Sequence, residues 1–270
     1  MKSQLSIEKK YDYYERSVQN PEQEVSFINE QFVRIYGHSP YTLREDFCGT
    51  GAISCHWVQQ NKDCQAWGVD LDSEPILMGR KRHFDKLKSS QKKRMCYLQE
   101  NVLKNSAPKV DVVCAFNFSY WIFKTRKELL KYFKGVRKSL NKQGAFFLDL
   151  FGGPESQNLV TDKKKLGKLT YYWECQHFNP ISHECTFAIH FKDHQRIHRN
   201  VFTYHWRMWM LPELRDILQE AGFSKVLVYW EGDDGDGSGN GIFQSVDGKN
   251  YYLQATTGYN QFRRYNRTLR

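Results

Sequence analysis

Apolar runs recur along the first half of the chain and alternate with stretches that are compatible with helices. Residues 41–43 and 65–67 are β-prone and lead into two turns that carry acidic residues, and a helix-compatible run follows each turn. Further apolar runs at 94–99, 110–115 and 145–151 predict three more strands. Continuous apolar runs are typical of buried parallel strands, so the pattern predicts an α/β sheet with a ligand outside the carboxyl ends of its strands.

The second half of the chain continues this pattern. A helix is predicted over 125–140, where apolar residues recur at helical spacing, and another over 212–221, with Pro212 at its start. Apolar residues at 225–230 and 251–255 then predict two late strands.

An insertion of about sixty residues separates the fifth predicted strand from the helix at 212–221, and it is longer than an ordinary connection. Within it, residues 169–178, 184–191 and 197–210 show alternation and many aromatic residues, and turn residues separate them. The insertion therefore predicts a three-stranded antiparallel meander.

Length and cysteine usage limit the class of protein. The 270 residues suffice for one domain with an elaboration or for two small domains. No apolar run approaches the length of a membrane span, and the first four residues open no signal peptide, so we expect no membrane partner and a cytoplasmic location. The seven cysteines form no C-x-x-C pair, which favours buried thiols in a reducing compartment.

Two motifs are similar to metal sites, and we expect no metal at either. His190, His194 and His198 have helical ligand spacing but lie in the predicted meander, where that interval repeats a face only across a turn. Residues 233–240 carry acidic residues at alternate positions like a calcium loop, but Ser245 stands where the required glutamate belongs. We interpret this stretch as a flexible acidic turn.

The net charge of +10 raises the question of an RNA partner. Basic residues crowd 79–94, 163–168 and 263–267. The first run falls on the predicted helix after the second strand, where a solvated helix face explains it. The arginines of the last run alternate with aromatic residues and fit either nucleic acid or packing on the domain.

The turns after the first two strands carry the most informative chemistry. Glu45 and Asp46 stand directly before Gly49 and Gly51, and Asp70 ends the second strand. A pyrophosphate would favour a turn without carboxylates, so a cationic ligand fits better. S-adenosylmethionine has an ammonium and a sulfonium for Glu45 or Asp46 and a ribose diol for Asp70.

This segment resembles motif I of the class I S-adenosylmethionine-dependent methyltransferases, in which an acidic residue precedes three alternating glycines. Gly49 and Gly51 match, whereas Phe47 stands in place of the first glycine. By the resemblance, Asn101 and Val102 meet the adenine, and the segment Asn117–Tyr120 stands at motif IV, near the substrate. The donor site that we expect comprises Tyr14, Arg16, Arg44, Glu45, Asp46, Phe47, Cys48, Gly49, Thr50, Gly51, Asp70, Leu71, Asp72, Asn101, Val102, Asn117 and Phe118.

Small-molecule methyltransferases of this family, including glycine and amino-sugar N-methyltransferases, carry an insertion after the fifth strand that caps the substrate. The predicted meander stands at the same point. In such enzymes a segment before the first strand closes over the donor, and Tyr14 or Arg16 would then touch the methionine carboxylate, with Arg44 as a rival. A packing helix with exposed charges is the alternative interpretation of that segment.

The resemblance implies an α/β fold with a Rossmann-like, mostly parallel seven-stranded sheet whose last strand is antiparallel, plus an antiparallel β cap. We expect an N-terminal helical lid at 1–40, the donor-binding core at 41–151, the cap at 152–210, and the rest of the sheet with a basic tail at 211–270. Methyl transfer to a nitrogen or oxygen of a small molecule is the expected function. Candidate bases are Tyr120, His177 and His205. An RNA methyltransferase and a non-catalytic S-adenosylmethionine-binding protein are the alternatives.

Overall fold

The computed structural model describes residues 5–152, 156–194, 196–233 and 239–245. The chain forms two compact units. The sheet unit comprises Asn20–Tyr120 and Arg126–Asp149, and the meander unit comprises the described residues of Met1–Gln19, Trp121–Thr125 and Leu150–Arg270. Among the described residues, no helix combines the length and apolarity needed to cross a membrane.

The sheet unit alternates strands and helices, as its apolar pattern predicts. Its five strands pair in the order β3-β2-β1-β4-β5, and all four pairings are parallel. The strand order reverses at β1, because β2 and β3 lie on one side of it and β4 and β5 lie on the other. Ligands of such sheets bind at the carboxyl ends of the strands around this point. The elements are α2 (Pro21–Tyr36), β1 (Thr42–Asp46), α3 (Ala52–Gln60), β2 (Gln65–Asp70), α4 (Ser73–Arg82), α5 (Ser89–Lys92), β3 (Met95–Gln99), β4 (Val110–Ala115), α6 (Arg126–Ser139) and β5 (Leu140–Leu148).

Helices cover the sheet because their apolar faces match its buried strands. Helix α2 begins at the Asn20 cap, whose side chain accepts from the Gln23 N–H, and ends at Gly37 in the left-handed conformation. Its residues Ile28 and Phe32 are fully buried and join the core cluster that also contains Trp57 of α3. The carboxyl ends of the strands are thereby fixed to a packed layer.

The meander unit contains a four-stranded antiparallel sheet in the order β6-β7-β8-β9. Its strands pair only with their neighbours in sequence, as in a meander. Two further strands, β10 and β11, form a separate antiparallel hairpin. The elements are α1 (Ile7–Val18), β6 (Thr161–Leu166), β7 (Leu169–Phe178), β8 (Glu184–Asp193), β9 (Arg196–Arg207), α7 (Leu211–Glu220), β10 (Tyr229–Asp233) and β11 (Gly239–Ser245).

Helix α1 packs on the strands of the meander. The Tyr13 hydroxyl donates to the Asp193 carboxylate at 2.7 Å, and Asp193 also lies 3.1 Å from the ring of His198. The rings of Tyr11 and Tyr14 contact that of Phe202. The first helix and the late strands therefore form one packed layer.

The sequence predicted the sheet's α/β class correctly, but two details differ and one stays untested. The main sheet has five strands among the described residues and not seven, because residues 225–228 form no ladder and Tyr229 begins the β10–β11 hairpin. The predicted strand at 251–255 and the basic tail lie outside the described residues. The meander has a fourth strand, β6, whose lysines the sequence analysis interpreted as a charge run; lysines are common on such edge strands.

Candidate active site

The loop after β1, which we call the first loop (residues 47–51), alternates between ordinary and left-handed backbone. Its left-handed residues are Phe47, Gly49 and Gly51, with φ of 57°, 55° and 64°. Phe47 thus takes a backbone conformation that favours glycine, at the place where the family motif has one. The phenylalanine therefore keeps a glycine-like backbone there.

Two residues outside the first loop fix its position. The Tyr97 hydroxyl, on β3, donates to the Thr50 carbonyl at 2.8 Å. A Cβ atom on Gly79 of α4 would lie 2.0 Å from the same oxygen, so only glycine allows this approach. A Cβ on Gly51 would likewise stand 2.6 Å from the Tyr97 ring. The loop therefore rests directly on β3 and α4.

The carboxylates that precede the first loop are buried and have partners within the sheet unit. Glu45 accepts from the backbone N–H and the hydroxyl of Ser54 at 2.9 and 2.6 Å, and burial raises the pKa of Glu45 to about 7. Asp46 pairs with the Arg44 guanidinium at 2.8 and 2.9 Å and accepts from the Tyr132 hydroxyl. Burial raises the pKa of Asp46 as well, against the opposing effect of Arg44.

Arg44 itself is a core residue, with 1% of its surface exposed. Besides Asp46, it donates to the Asn105 side chain at 2.9 Å and to the Ser139 hydroxyl at 2.7 Å. These contacts tie β1 to α6 and to the segment after β3. They also account for a structural role of Arg44 and Asp46, and their predicted contact with the donor's methionine end stays a prediction.

Asp70 ends β2 and closes the first loop from the side. One carboxylate oxygen accepts from the Gly49 N–H at 2.8 Å, and the other accepts from the Asp72 N–H at 2.9 Å. Burial raises the pKa of Asp70, while these hydrogen bonds favour its ionised form. A carboxylate has about four acceptor positions. Asp70 therefore retains acceptor capacity for a diol beside the loop. Leu71 is exposed, and Asp72 caps α4 through the Glu74 N–H.

The segment after β3 carries the two residues predicted to meet adenine. Asn101 is exposed, and its side-chain oxygen accepts from the Leu103 N–H at 2.9 Å. Val102 is buried. An amide oxygen has two lone pairs, so Asn101 keeps one acceptor position for an exocyclic amine.

The loop after β4, which we call the second loop (residues 116–120), contains two consecutive left-handed residues, Asn117 and Phe118, each with φ of 56°. Their N–H groups donate to the two oxygens of the Asp149 carboxylate at 2.8 and 2.9 Å. Tyr120 is fully buried, and its hydroxyl donates to the Asp149 carbonyl at 2.8 Å. Burial raises the pKa of Asp149 to about 7. The role of Tyr120 as a base stays a prediction.

The candidate bases His177 and His205 lie together in the meander unit. Both are exposed, and both pair in register with Thr186 on β8, whose hydroxyl lies 3.2 Å from Nδ1 of His205. They line a pocket of ≈ 260 Å³. Its lining residues are Lys124, His177, Asn179, Ser182, Glu184, Cys185, Thr186 and His205.

The opposite face of the meander is aromatic. Trp173 stacks on Phe187 with ring centroids 4.7 Å apart, and Tyr204 stacks on Trp206 at 4.2 Å. Tyr14 of α1 belongs to this layer through Phe202, whereas Arg16 is exposed and pairs with Asp12. The structure thus places Tyr14 and Arg16 in the meander unit and the remaining predicted donor residues in the sheet unit.

Sequence reasoning missed Asp149, Tyr97 and Gly79 as supports of the two loops. Asp149 gave a signal, because it is the single charged residue of the apolar run at 145–151 and a buried charge requires partners. Gly79 interrupts a predicted helix, which indicates a close contact. The support from Tyr97 has no signal in the sequence.

Comparisons with known proteins agree with this geometry. Residues 48–146 match the model of a methyltransferase domain. No curated protein matches the chain.

Solved structures with a similar fold share little sequence with this chain. Streptomyces venezuelae DesVI has a TM-score of 0.66 and 18% identity, over 90% of this chain and 99% of that one. CalS10, an amino pentose methyltransferase from Micromonospora echinaspora, has a TM-score of 0.62 and 14% identity, over 86% of this chain and 94% of that one. An S-adenosylmethionine-dependent methyltransferase from Clostridium acetobutylicum has a TM-score of 0.61 and 21% identity, over 81% of this chain and 85% of that one. Residues 48–146 therefore match a methyltransferase domain, and the fold of the chain is similar to the Rossmann-like fold of S-adenosylmethionine-dependent methyltransferases.

Proposed function

We propose that the protein transfers the methyl group of S-adenosylmethionine to a nitrogen or oxygen of a small molecule. The observation that carries this proposal is the arrangement around the first loop. There the left-handed backbone of residues 47–51 is held beside the Asp70 carboxylate, with Gly49 bonded to it at 2.8 Å. The same chain carries an aromatic antiparallel meander after β5.

The chemistry of the loop favours this donor over a dinucleotide. Glu45, Asp46 and Asp70 place three carboxyl groups at or next to the first loop, and a pyrophosphate would be repelled by those that are ionised. A donor with an ammonium and a sulfonium meets no such repulsion. Its ribose hydroxyls find the remaining acceptor capacity of Asp70, and Asn101 offers an acceptor to the adenine amine.

Methyl transfer asks little covalent chemistry of the protein. The sulfonium is already activated, so alignment of the acceptor, exclusion of water and a deprotonated nucleophile account for most of the rate. The second loop is proposed to position the acceptor through Asn117. His177 or His205 is the proposed base, because both line the pocket of the meander unit.

The meander supports a small acceptor. Its face opposite the aromatic rings carries the pocket of ≈ 260 Å³ that His177 and His205 line, and pockets with a few convergent polar groups are typical sites for small ligands. CalS10, which shares the fold, is an amino pentose methyltransferase. We propose that the meander recognises the acceptor and that amino sugars and related small amines are the first compounds to test.

A label-transfer screen tests the proposed function. Purified protein is given methyl-labelled S-adenosylmethionine with amino sugars, small amines and hydroxylated aromatics, and the labelled product is identified by mass spectrometry. Transfer to one of these compounds, with loss of transfer in Asp70→Ala, is the expected result. Tight donor binding without transfer to any acceptor would indicate a non-catalytic S-adenosylmethionine-binding protein.

RNA is the second candidate acceptor, and the net charge of +10 favours it. Binding to RNA releases counterions, so its affinity falls with salt by roughly 0.7 per neutralised phosphate on a log–log plot. A small acceptor has few charges to screen. We expect the Michaelis constant to change little between low and physiological salt, and a steep salt dependence with labelled RNA would contradict the small-molecule proposal.

A further inference from the structure

The second loop has a backbone that its own sequence does not favour. Asn117 and Phe118 are consecutive, both have φ of 56°, and neither is glycine. Left-handed backbone is strained for a bulky residue such as Phe118 and is better tolerated by asparagine, and two non-glycine residues in a row keep it only when their surroundings impose the conformation. Something outside the loop must therefore hold it.

Asp149 at the end of β5 is the group that imposes it. Each oxygen of its carboxylate accepts one backbone N–H, from Asn117 at 2.8 Å and from Phe118 at 2.9 Å. The Tyr120 hydroxyl donates to the carbonyl of the same residue at 2.8 Å. Three contacts thus join the residue that follows β5 to the loop after β4, and they lie at the carboxyl ends of the strands, where ligands of such sheets bind.

We propose that Asp149 is a positioning residue for methyl transfer, which fixes Asn117 and Phe118 in the left-handed conformation and so sets the direction of the Asn117 side chain toward the acceptor. The inference rests on the proposed function, because it assigns the second loop to the acceptor. Asp149 itself acts through the loop and does not touch the reacting atoms. The carboxylate is the suitable group, because it accepts two N–H bonds at once, whereas an amide of the same size has a single acceptor oxygen.

Asp111 provides a matched control within the same sheet. Its carboxylate also accepts two consecutive backbone N–H groups, from Tyr41 at 2.9 Å and Thr42 at 3.0 Å. These residues lie at the amino end of β1, away from the carboxyl ends. Both aspartates therefore hold two consecutive backbone N–H groups at opposite ends of the sheet, Asp149 with one on each oxygen and Asp111 with both on one oxygen. The other oxygen of Asp111 accepts from the Asn141 side chain at 2.7 Å, so Asp111→Asn removes that acceptor. Only Asp149 is placed to affect transfer.

The test compares Asp149→Asn with Asp111→Asn in the full chain. S-adenosylhomocysteine affinity is measured by calorimetry, and transfer is measured with labelled S-adenosylmethionine and the panel of amino sugars, small amines and hydroxylated aromatics. For Asp149→Asn we expect kcat to fall by about 10-fold or more, with donor affinity within about 3-fold of the original. For Asp111→Asn we expect a lower melting temperature and an unchanged kcat.

A double-mutant cycle separates positioning from general damage. Phe118→Gly removes the strain at one of the two positions, since glycine adopts positive φ readily. If Asp149 acts by holding that conformation, Asp149→Asn should lower kcat less in the Phe118→Gly background than in the original chain. An equal loss in both backgrounds, or equal losses of kcat in Asp149→Asn and Asp111→Asn, would overturn the inference.

Amide hydrogen exchange provides a readout that needs no acceptor. The N–H groups of Asn117 and Phe118 should be protected in the original chain and should lose protection in Asp149→Asn, while the N–H of Gly49 keeps it. Unchanged exchange at 117 and 118 would refute the role of Asp149 even without turnover. Failure of the proposed function differs from this: the original chain would then bind donor, show the protected amides and methylate none of the panel.

Discussion

The first and second loops solve the same structural problem with different residues. Each loop follows a strand of the parallel sheet and contains left-handed backbone. The first loop donates one backbone N–H to the carboxylate at the end of the adjacent strand, and the second loop donates two. The first loop has glycine at two of its three left-handed positions, whereas the second has none. The first loop is therefore favoured by its own sequence, and the second depends more on its carboxylate.

This difference separates two ways of building a binding loop. Glycine allows a ligand to approach the backbone closely, as the contacts of Gly51 and Gly79 with their neighbours show. Non-glycine residues in the same conformation project side chains in directions that ordinary backbone does not reach, at a cost of about 1–2 kcal/mol each. A donor held by backbone groups suits the first design, and an acceptor recognised by side chains suits the second.

The largest effect that we expect is a change of stability with pH, because each loop has a buried carboxyl group next to it, Glu45 at the first loop and Asp149 at the second. Burial raises the pKa of both Glu45 and Asp149 to about 7, so the folded protein binds their protons more tightly than the unfolded chain does. The stability from these groups is fully present below their unfolded pKa and is lost as pH rises through about 7. We expect the free energy of unfolding to fall by on the order of 5 kcal/mol from about pH 5 to about pH 8, the sum over the two groups.

Chemical denaturation across this pH range measures the effect. Glu45→Gln and Asp149→Asn should each flatten the dependence, and equal reductions would mean that the two loops bury their carboxyls equally. A stability that rises from pH 5 to pH 8 would contradict the assignment.

Asp70→Ala should weaken binding of S-adenosylhomocysteine by about 2–3 kcal/mol, the range of hydrogen bonds to charged groups. It removes both the proposed ribose acceptor and the partner of the Gly49 N–H. Calorimetry checks the prediction, with Asp70→Asn as the variant that keeps one acceptor and should lose less. An unchanged affinity in Asp70→Ala would remove Asp70 from the donor site.

Gly79→Ala should destabilise the protein by about 2 kcal/mol, the middle of the range for overpacking. Its Cβ would stand 2.0 Å from the Thr50 carbonyl, so the first loop must move. We expect donor affinity to fall together with the melting temperature. Gly135→Ala is the matched control, because its added Cβ would meet the Asn105 side chain and not a loop backbone; loss of donor affinity there as well would show that the effect is not specific to the loop.

The smallest predicted effect is a gain. Phe47→Gly should stabilise the sheet unit by up to about 1 kcal/mol, because the relief of left-handed strain exceeds the added freedom of the unfolded chain. Loss of the ring contact between Phe47 and Tyr132, at 5.7 Å, offsets part of the gain. Thermal unfolding measures the difference. A clear loss of stability would show that the contacts of the Phe47 side chain stabilise the first loop more than the left-handed strain destabilises it.

Local patterns predicted the sheet but not what supports the loops. The strand at 110–115 was predicted with its observed bounds, because its apolar run has only one interpretation in a parallel sheet. Residues 225–228 have a similar apolar pattern, but whether they pair with another strand depends on tertiary structure. The prediction of a strand there was wrong.

The same limit applies to the site. Asp70 was predicted to end the second strand and to accept the ribose hydroxyls. The structure places it at the end of β2, where it accepts from the Gly49 N–H, and its contact with the donor stays a prediction. The pairing of Arg44 with Asp46 was available in principle, since residues two apart on a strand share a face. The bond from Asn117 to Asp149 joins residues 32 apart, and no local signal identifies such a partner.

The packing of α1 on the meander affects the order in which the chain acquires its structure during synthesis. Tyr13 bonds to Asp193, which lies 180 positions later. At typical translation rates, roughly 10–40 s separate the appearance of the two residues. The tyrosines of α1 stay exposed during this time, because the strands that bury them have not yet been synthesised. Helix α1 thus leaves the ribosome long before its packing partners, and chaperones that bind exposed aromatic segments have a long opportunity there.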